Sequence, residues 1–103
     1  MGNTVTVKPP ASLGKVGRGV WRRLQPDYGI QDSGGLVLLE TACGCADLEA
    51  DAMLQARKEG LSTVDRYGQR RPHPLLSVAR DARGQMLAAL RQLRLDADRP
   101  GGY

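Results

Sequence analysis

The chain has 103 residues, enough for one domain and too few for two, and its 15 basic against 11 acidic residues leave a formal charge of +4. It has no Phe, one Trp and three Tyr, so a core must be built from Leu, Ala and Val, which bury less area than aromatic rings. No apolar run approaches the roughly 20 residues that span a bilayer, and no charged-apolar-small sequence opens the chain, which argues against membrane insertion and secretion.

A thin core in a long-helix protein points to stability gained from further copies of the chain, so self-assembly is expected. The charge is uneven. Positions 1–32 carry five basic and two acidic residues, 33–60 two basic and five acidic, and 61–95 seven basic and two acidic. This alternation predicts a polyanion-facing surface and an acidic segment suited to a basic neighbour. The opening Met1-Gly2-Asn3-Thr4-Val5-Thr6 matches the short acylation pattern, but a single acyl chain holds a membrane only marginally and nothing else points there.

In chain order, residues 1–11 form a flexible or extended arm, because Pro9-Pro10 bars a helix. A helical domain is expected over 12–96. Its first helix runs from Ser12 through Leu13, Val16, Val20, Trp21 and Leu24, is weakened by Gly14, Gly17 and Gly19, and ends at Pro26 before the turn Asp27-Tyr28-Gly29. A second helix over 33–59, capped by Asp32 or Ser33, carries Leu36, Leu39, Cys43, Ala46, Ala50, Met53 and the Arg57 stem at steps of three and four. Gly60 stops it, and at ~1.5 Å per residue it is ~40 Å long. Leu61-Ser62-Thr63-Val64, the turn Asp65-Arg66-Tyr67-Gly68 and Gln69-Arg70-Arg71-Pro72 read as a short hairpin or extended connector. Pro74 starts a third helix to position 95, with Leu75, Ala79, Ala82, Met86, Ala89 and Leu93 on one stripe widened by Leu76, Leu87 and Leu90. Positions 97–103 are a flexible tail. The expected fold is all-α: two long antiparallel helices joined by the connector and preceded by a short helix.

Catalytic chemistry has few parts to work with. Cys43-Gly44-Cys45 lacks the second ligand pair a metal site needs, and its cysteines point ~200° apart on a helix. The segment Ala42 to Ala46 reads instead as a place where another helix approaches closely. His73, the sole histidine, stands between prolines with no nucleophile and carboxylate beside it, and reads as a helix-start residue. Asp47, Glu49 and Asp51 fall on differing helix faces, and no phosphate-cradling glycine motif is present. The chain reads as a non-enzyme without cofactor or metal. What remains is basic: Lys15, Arg18, Arg22 and Arg23 beside Trp21, Arg70 and Arg71 on the connector, and Arg80, Arg83, Arg91 and Arg94 on the third helix. Arginine matches phosphate geometry from such positions.

The order of these features resembles a known family. An arm leads to GRGVWRRLQPDYGI, then the long DSGGLVLLETACGCADLEADAMLQARKEG, the turn VDRYGQRR, and the Pro-flanked, Arg-rich PHPLLSVARDARGQMLAALRQLRLD. This is similar to the small subunit of tailed-phage terminases, over about residues 14–96. His73-Pro74 stands where that family often has Asn-Pro, and Leu93-Arg94-Leu95 replaces its usual Leu-Gly-Leu. The resemblance implies a homo-oligomeric ring in the cytoplasm of a bacterial host, which binds viral double-stranded DNA and delivers it to the large terminase subunit, the holder of ATPase and nuclease. Under this reading Lys15, Arg18, Arg22 and Arg23, assisted by Arg70 and Arg71, contact DNA. Leu39, Cys43, Met53, Leu87 and Leu90 are expected in the apolar contacts of the assembly core, within or between subunits. A dimeric helical DNA-binding regulator is the alternative.

Overall fold

A computed structural model describes residues 6–94; the expected tail lies outside the described residues. The order is α1 (Lys15–Tyr28), α2 (Ser33–Glu59), β1 (Ser62–Val64), β2 (Arg70–Pro72) and α3 (Pro74–Leu93). The protein is therefore mostly helical, and the connector is a true antiparallel hairpin, pairing Ser62 with Pro72, Thr63 with Arg71 and Val64 with Arg70.

Both ends of α2 and the start of α3 are where the sequence places them, because local chemistry decides them, whereas α3 stops at Leu93, short of the expected 95, with Arg94 left-handed at φ 57°. Asp32 caps α2 by accepting from the Gly35 N–H at 2.8 Å. Gly60 ends the helix at φ 98°, a conformation that side-chain-bearing residues rarely adopt, with Arg57 and Lys58 in the last turn. Pro74 opens α3, and His73 is its cap, with Nδ1 accepting from the Leu75 N–H at 3.0 Å. That bond leaves the proton of the neutral ring on Nε2, which meets Glu59 Oε1 at 2.6 Å. The last residue of α2 and the cap of α3 are thus fastened together across the hairpin. The His73 N–H also donates to the Leu61 carbonyl at 2.9 Å, extending the ladder toward the helices.

α2 and α3 run antiparallel along most of their lengths. Glu59 with His73, Glu49 with Arg83 and Cys45 with Gln85 show the register: each step back along α2 advances along α3. Their buried faces are mainly alanine, with Ala42, Ala46, Ala52 and Ala56 on α2 and Ala79, Ala82 and Ala89 on α3. Small side chains let helix axes approach toward the lower end of the usual ~8–10 Å. The expectation of a close helix approach around Ala42 to Ala46 is met by α1, where a Cβ on Gly17 would lie 2.7 Å from the Cys43 carbonyl oxygen.

The second half of the core is larger in its side chains. Leu13, Trp21, Ile30, Leu39 and Cys43 form a buried cluster, and Val20, Leu24, Tyr28, Leu36 and Leu93 pack around it. Fully burying a residue such as Leu39 contributes roughly 1.5–3 kcal/mol. Leu39 and Cys43 have no exposed surface, so both are spent inside one chain and offer no contact to another copy. Of the five positions expected at an assembly core, Met53 and Leu90 are half-buried and Leu87 is exposed.

α1 differs most from its sequence reading. Pro26 lies inside the helix, which continues to Tyr28 and closes with the Gly29 N–H on the Gln25 carbonyl at 2.8 Å. Pro26 removes only the bond to the carbonyl of exposed Arg22, where water can substitute. Val16, expected inside, is 45% exposed, and the inner face is Gly17, Trp21 and Gln25. The arm is not loose over its described part: the Trp21 Nε1–H donates to the Val7 carbonyl at 2.7 Å, and the Val7 N–H donates to Gln25 Oε1 at 3.3 Å.

α1 has no capping side chain of its own at Gly14. The cap comes from α2. Asp47 accepts from the Gly14 N–H through Oδ2 and from the Gly17 N–H through Oδ1, both at 2.7 Å. Gly17 is what lets the two helices meet so closely, because a Cβ there would lie 2.4 Å from Asp47 Oδ2 and 2.7 Å from the Cys43 carbonyl oxygen. Gly17→Ala is therefore expected to destabilise by roughly 1–3 kcal/mol, although alanine is the better helix former. Gly84→Ala, where a Cβ meets nothing within 4 Å, should instead stabilise by up to ~1 kcal/mol. Urea denaturation of the two variants checks the contrast, and equal midpoints would refute the close-approach account.

Candidate nucleic-acid interface

α1 is amphipathic in a specific way. Gly17, Trp21 and Gln25 recur every four residues and face the core, while Lys15, Arg18 and Arg22 recur at steps of three and four on a neighbouring face. Lys15, Arg22 and Arg23 are exposed. Arg18 is half-buried and donates through Nη2 to the Ala11 carbonyl at 3.1 Å, which orients it beside the arm. Among the described residues none of these four forms an ion pair, so their charge is directed at solvent. Arg22 also lines a groove of about 230 Å³ between arm and helix, walled by Val7, Pro9, Trp21 and Pro26.

Gln25 is the residue that sequence reasoning missed. It is 1% exposed, and besides accepting from the Val7 N–H it donates through Nε2 to the Ile30 carbonyl at 2.9 Å. It therefore ties the arm, α1 and the turn into α2 together. Its place four residues after Trp21 and eight after Gly17 is the only signal the sequence carries.

The second basic set stands apart from the first. Asp47 marks the start of α1 on α2 and Gly60 the start of the hairpin, so thirteen positions, about 20 Å of helix, separate them. Arg70 Nη1 donates to Ser62 Oγ at 3.0 Å. Arg71 Nε donates to Asp65 Oδ2 at 3.1 Å and its Nη2 to Gln69 Oε1 at the same distance, so Arg71 braces the turn. Arg66 and Tyr67, not singled out from the sequence, occupy the tip, with the guanidinium 5.4 Å from the ring centroid. On α3, Arg83 pairs with Glu49 of the same chain at 3.5 Å, Arg80 lies 3.8 Å from its neighbour Asp81, and Arg91 is exposed. The acidic trio is thus dispersed: Asp47 caps α1, Glu49 holds Arg83, and Asp51 faces out.

The two sequence candidates for chemistry are held in contacts within the fold: Cys45 Sγ donates to Gln85 Oε1 at 3.8 Å, and His73 Nε2 meets Glu59. Cys43 and Cys45 are free and buried, and burial, helped by the charge of Asp47, pushes the Cys43 thiol up to about 11. Among the described residues no three histidines, cysteines or carboxylates converge on a possible metal position. Glu59 sits below the ordinary carboxylate range because Gln55 and His73 hydrogen-bond to it. These contacts close a helix end.

The hairpin turn is organised by one carboxylate. Asp65 Oδ1 accepts from the N–H groups of Tyr67 and Gln69, both at 2.9 Å, while its own N–H donates to the Gln69 carbonyl and its carbonyl accepts from Gly68. The Gln69 N–H, followed by Arg71 and the Tyr67 N–H, holds the Asp65 carboxyl below its ordinary value. A depressed carboxyl stabilises above its unfolded-state value and loses that contribution as pH falls through its folded one. Amide-exchange protection of Tyr67 and Gln69, corrected for intrinsic rates, is expected to fall severalfold on acidification below the ordinary carboxylate range, and equally in Asp65→Asn at neutral pH. Unchanged protection in that variant would show that the carboxylate does not hold the turn.

No protein-family model, no curated protein and no solved structure matches this chain. Among the described residues, no helix is long and apolar enough to cross a membrane.

Proposed function

We propose that the chain is a DNA-packaging adaptor of the terminase small-subunit kind: a homo-oligomeric ring that binds viral double-stranded DNA and presents it to a large subunit carrying ATPase and nuclease. The observation that carries this reading is the outer face of α1. Lys15, Arg18, Arg22 and Arg23 are set on a helix fixed to α2 by Asp47, with no acidic side chain among the described residues drawing their charge inward. Repeating such a patch around an assembly multiplies weak phosphate contacts through effective concentration.

Surfaces left uncovered in the single chain support the assembly. Val37 and Leu48, three turns apart on one face of α2, are 63% and 49% exposed beside Glu40 and Asp51. Leu87 of α3 is 45% exposed beside Arg80 and Arg91. An acidic-apolar face and a basic-apolar face on the same chain are complementary, and a contact between two unlike faces closes into a ring when its rotation permits. The large subunit would then meet a surface built by several copies.

Arg22→Glu combined with Arg23→Glu is expected to weaken binding to any duplex by at least about tenfold and to make the salt dependence of log K shallower by roughly two for each subunit engaged with the duplex. Titration against duplex DNA at two salt concentrations reads both quantities, and native mass spectrometry reads the assembly. A wild-type mass of many subunits fits the adaptor, whereas two subunits fit a dimeric regulator. Unaltered affinity and slope in an intact assembly would move the DNA site away from α1.

A further inference from the structure

The hairpin is longer than its connecting task requires, since two antiparallel helices are commonly joined by two to five residues. Here 60–73 builds a ribbon whose six strand residues are all exposed. Its apolar side chains find no cover: Leu61 is 50% exposed, Val64 61% and Tyr67 76%. An uncovered two-stranded ribbon is marginal by itself, and the chain commits several bonds to keeping it rigid. Asp65 gathers the turn, Arg70 reaches across to Ser62, Arg71 braces Asp65, and Gly68 supplies a φ of 78°. The only acidic residue of the hairpin is therefore engaged within the turn, and Arg66 at the tip forms no ion pair among the described residues.

We infer that this hairpin is a groove-reading element: its tip enters the major groove of double-stranded DNA and sets the guanidinium of Arg66, with the ring of Tyr67, against base edges. The inference rests on the DNA-binding reading above and assigns base recognition to an element separate from the phosphate-holding α1. Dimensions and charge favour this occupant. Paired strands lie ~4.7–4.9 Å apart, and a two-stranded ribbon with its side chains fits the major groove of ~12 Å but not the minor groove of ~6 Å. A guanidinium supplies two parallel donors for guanine O6 and N7, and the exposed Val64 offers an apolar contact of the kind that reads the thymine methyl. The base of the hairpin lies about 20 Å along α2 from the start of α1, and Arg22 and the hairpin tip lie beyond those two points in opposite directions, so phosphate contacts and groove entry fall at separate places along the duplex.

The test uses the full chain. Duplexes are selected from a randomised pool with the wild-type protein, and affinities for the selected and a shuffled duplex are then compared among wild type, Arg66→Ala/Tyr67→Ala and Arg22→Glu/Arg23→Glu. Melting temperature and native mass are measured for each. The tip variant is expected to lose roughly tenfold in discrimination between the two duplexes while keeping its affinity for the shuffled one, its mass and its melting temperature. The α1 variant should weaken binding to both duplexes alike. Replacing guanine by 7-deazaguanine in the selected duplex should reproduce the tip variant's loss with wild-type protein. A pool that does not enrich, a tip variant that discriminates as well as wild type, or an indifferent 7-deazaguanine duplex overturns the inference while leaving the adaptor reading in place. A tip variant whose mass falls would assign the hairpin to a second copy of the chain and likewise overturns it. Wild-type protein that binds no duplex at all sinks the adaptor reading itself.

Discussion

One carboxylate, Asp47, determines where the most basic helix of the molecule sits. α1 begins at a glycine with no side chain to satisfy its first amides, and Asp47 accepts from two of them out of the middle of α2. Charged acceptors at a helix start are favoured both by the hydrogen bonds and by the partial positive charge there. The arrangement demands Gly17, since nothing larger than hydrogen fits against Asp47 and the Cys43 carbonyl. Once the helix is held at this level, Trp21 and Gln25 fall onto the core, and Lys15, Arg18 and Arg22 fall onto solvent. Core docking and surface charge are two consequences of the same rotation about one helix axis.

The α2–α3 pair supplies the frame, and its seam explains how a chain poor in aromatics can do so. Alanines bury little area each, but they let two helices lie close along most of their lengths. Glu49 with Arg83 and Glu59 with His73 fix the register where alanines discriminate poorly between neighbouring alignments. The larger side chains gather at the other end, where α1, the arm and Leu93 close around Leu39. The molecule is consequently elongated, 63 × 26 × 21 Å, with its heavy core near one end and the hairpin at the other.

That polarity bears on how the proposed adaptor would work. An elongated subunit places distinct functions at different heights along α2: phosphate attraction at the level of Asp47, and a rigid ribbon beyond Gly60. The outward faces of α2 and α3, one acidic and one basic, leave Val37, Leu48 and Leu87 uncovered toward the half of the molecule where α1 packs. Association through them would leave the hairpin free, because it lies beyond Gly60 at the far end of α2.

The sequence by itself determined the element order, both ends of α2 and the start of α3. Asp32, Gly60 and Pro74 act through bonds and torsions confined to a few neighbouring residues, so their effect is legible without the rest of the chain. It also determined the basic spacing of α1, the dispersal of the acidic trio over several faces and the small-residue segment around Cys43. Only the tertiary structure decided that α1 runs through Pro26, that Val16 faces out, that Gln25 faces in, and that Leu39 and Cys43 are consumed inside one chain. Each of these depends on a partner far along the sequence: Asp47 reaching Gly14 and Gly17, and Val7 reaching Trp21 and Gln25. Periodicity shows that a helix has an inner face, but which of two adjacent apolar or small stripes becomes that face is settled by the helix that packs on it.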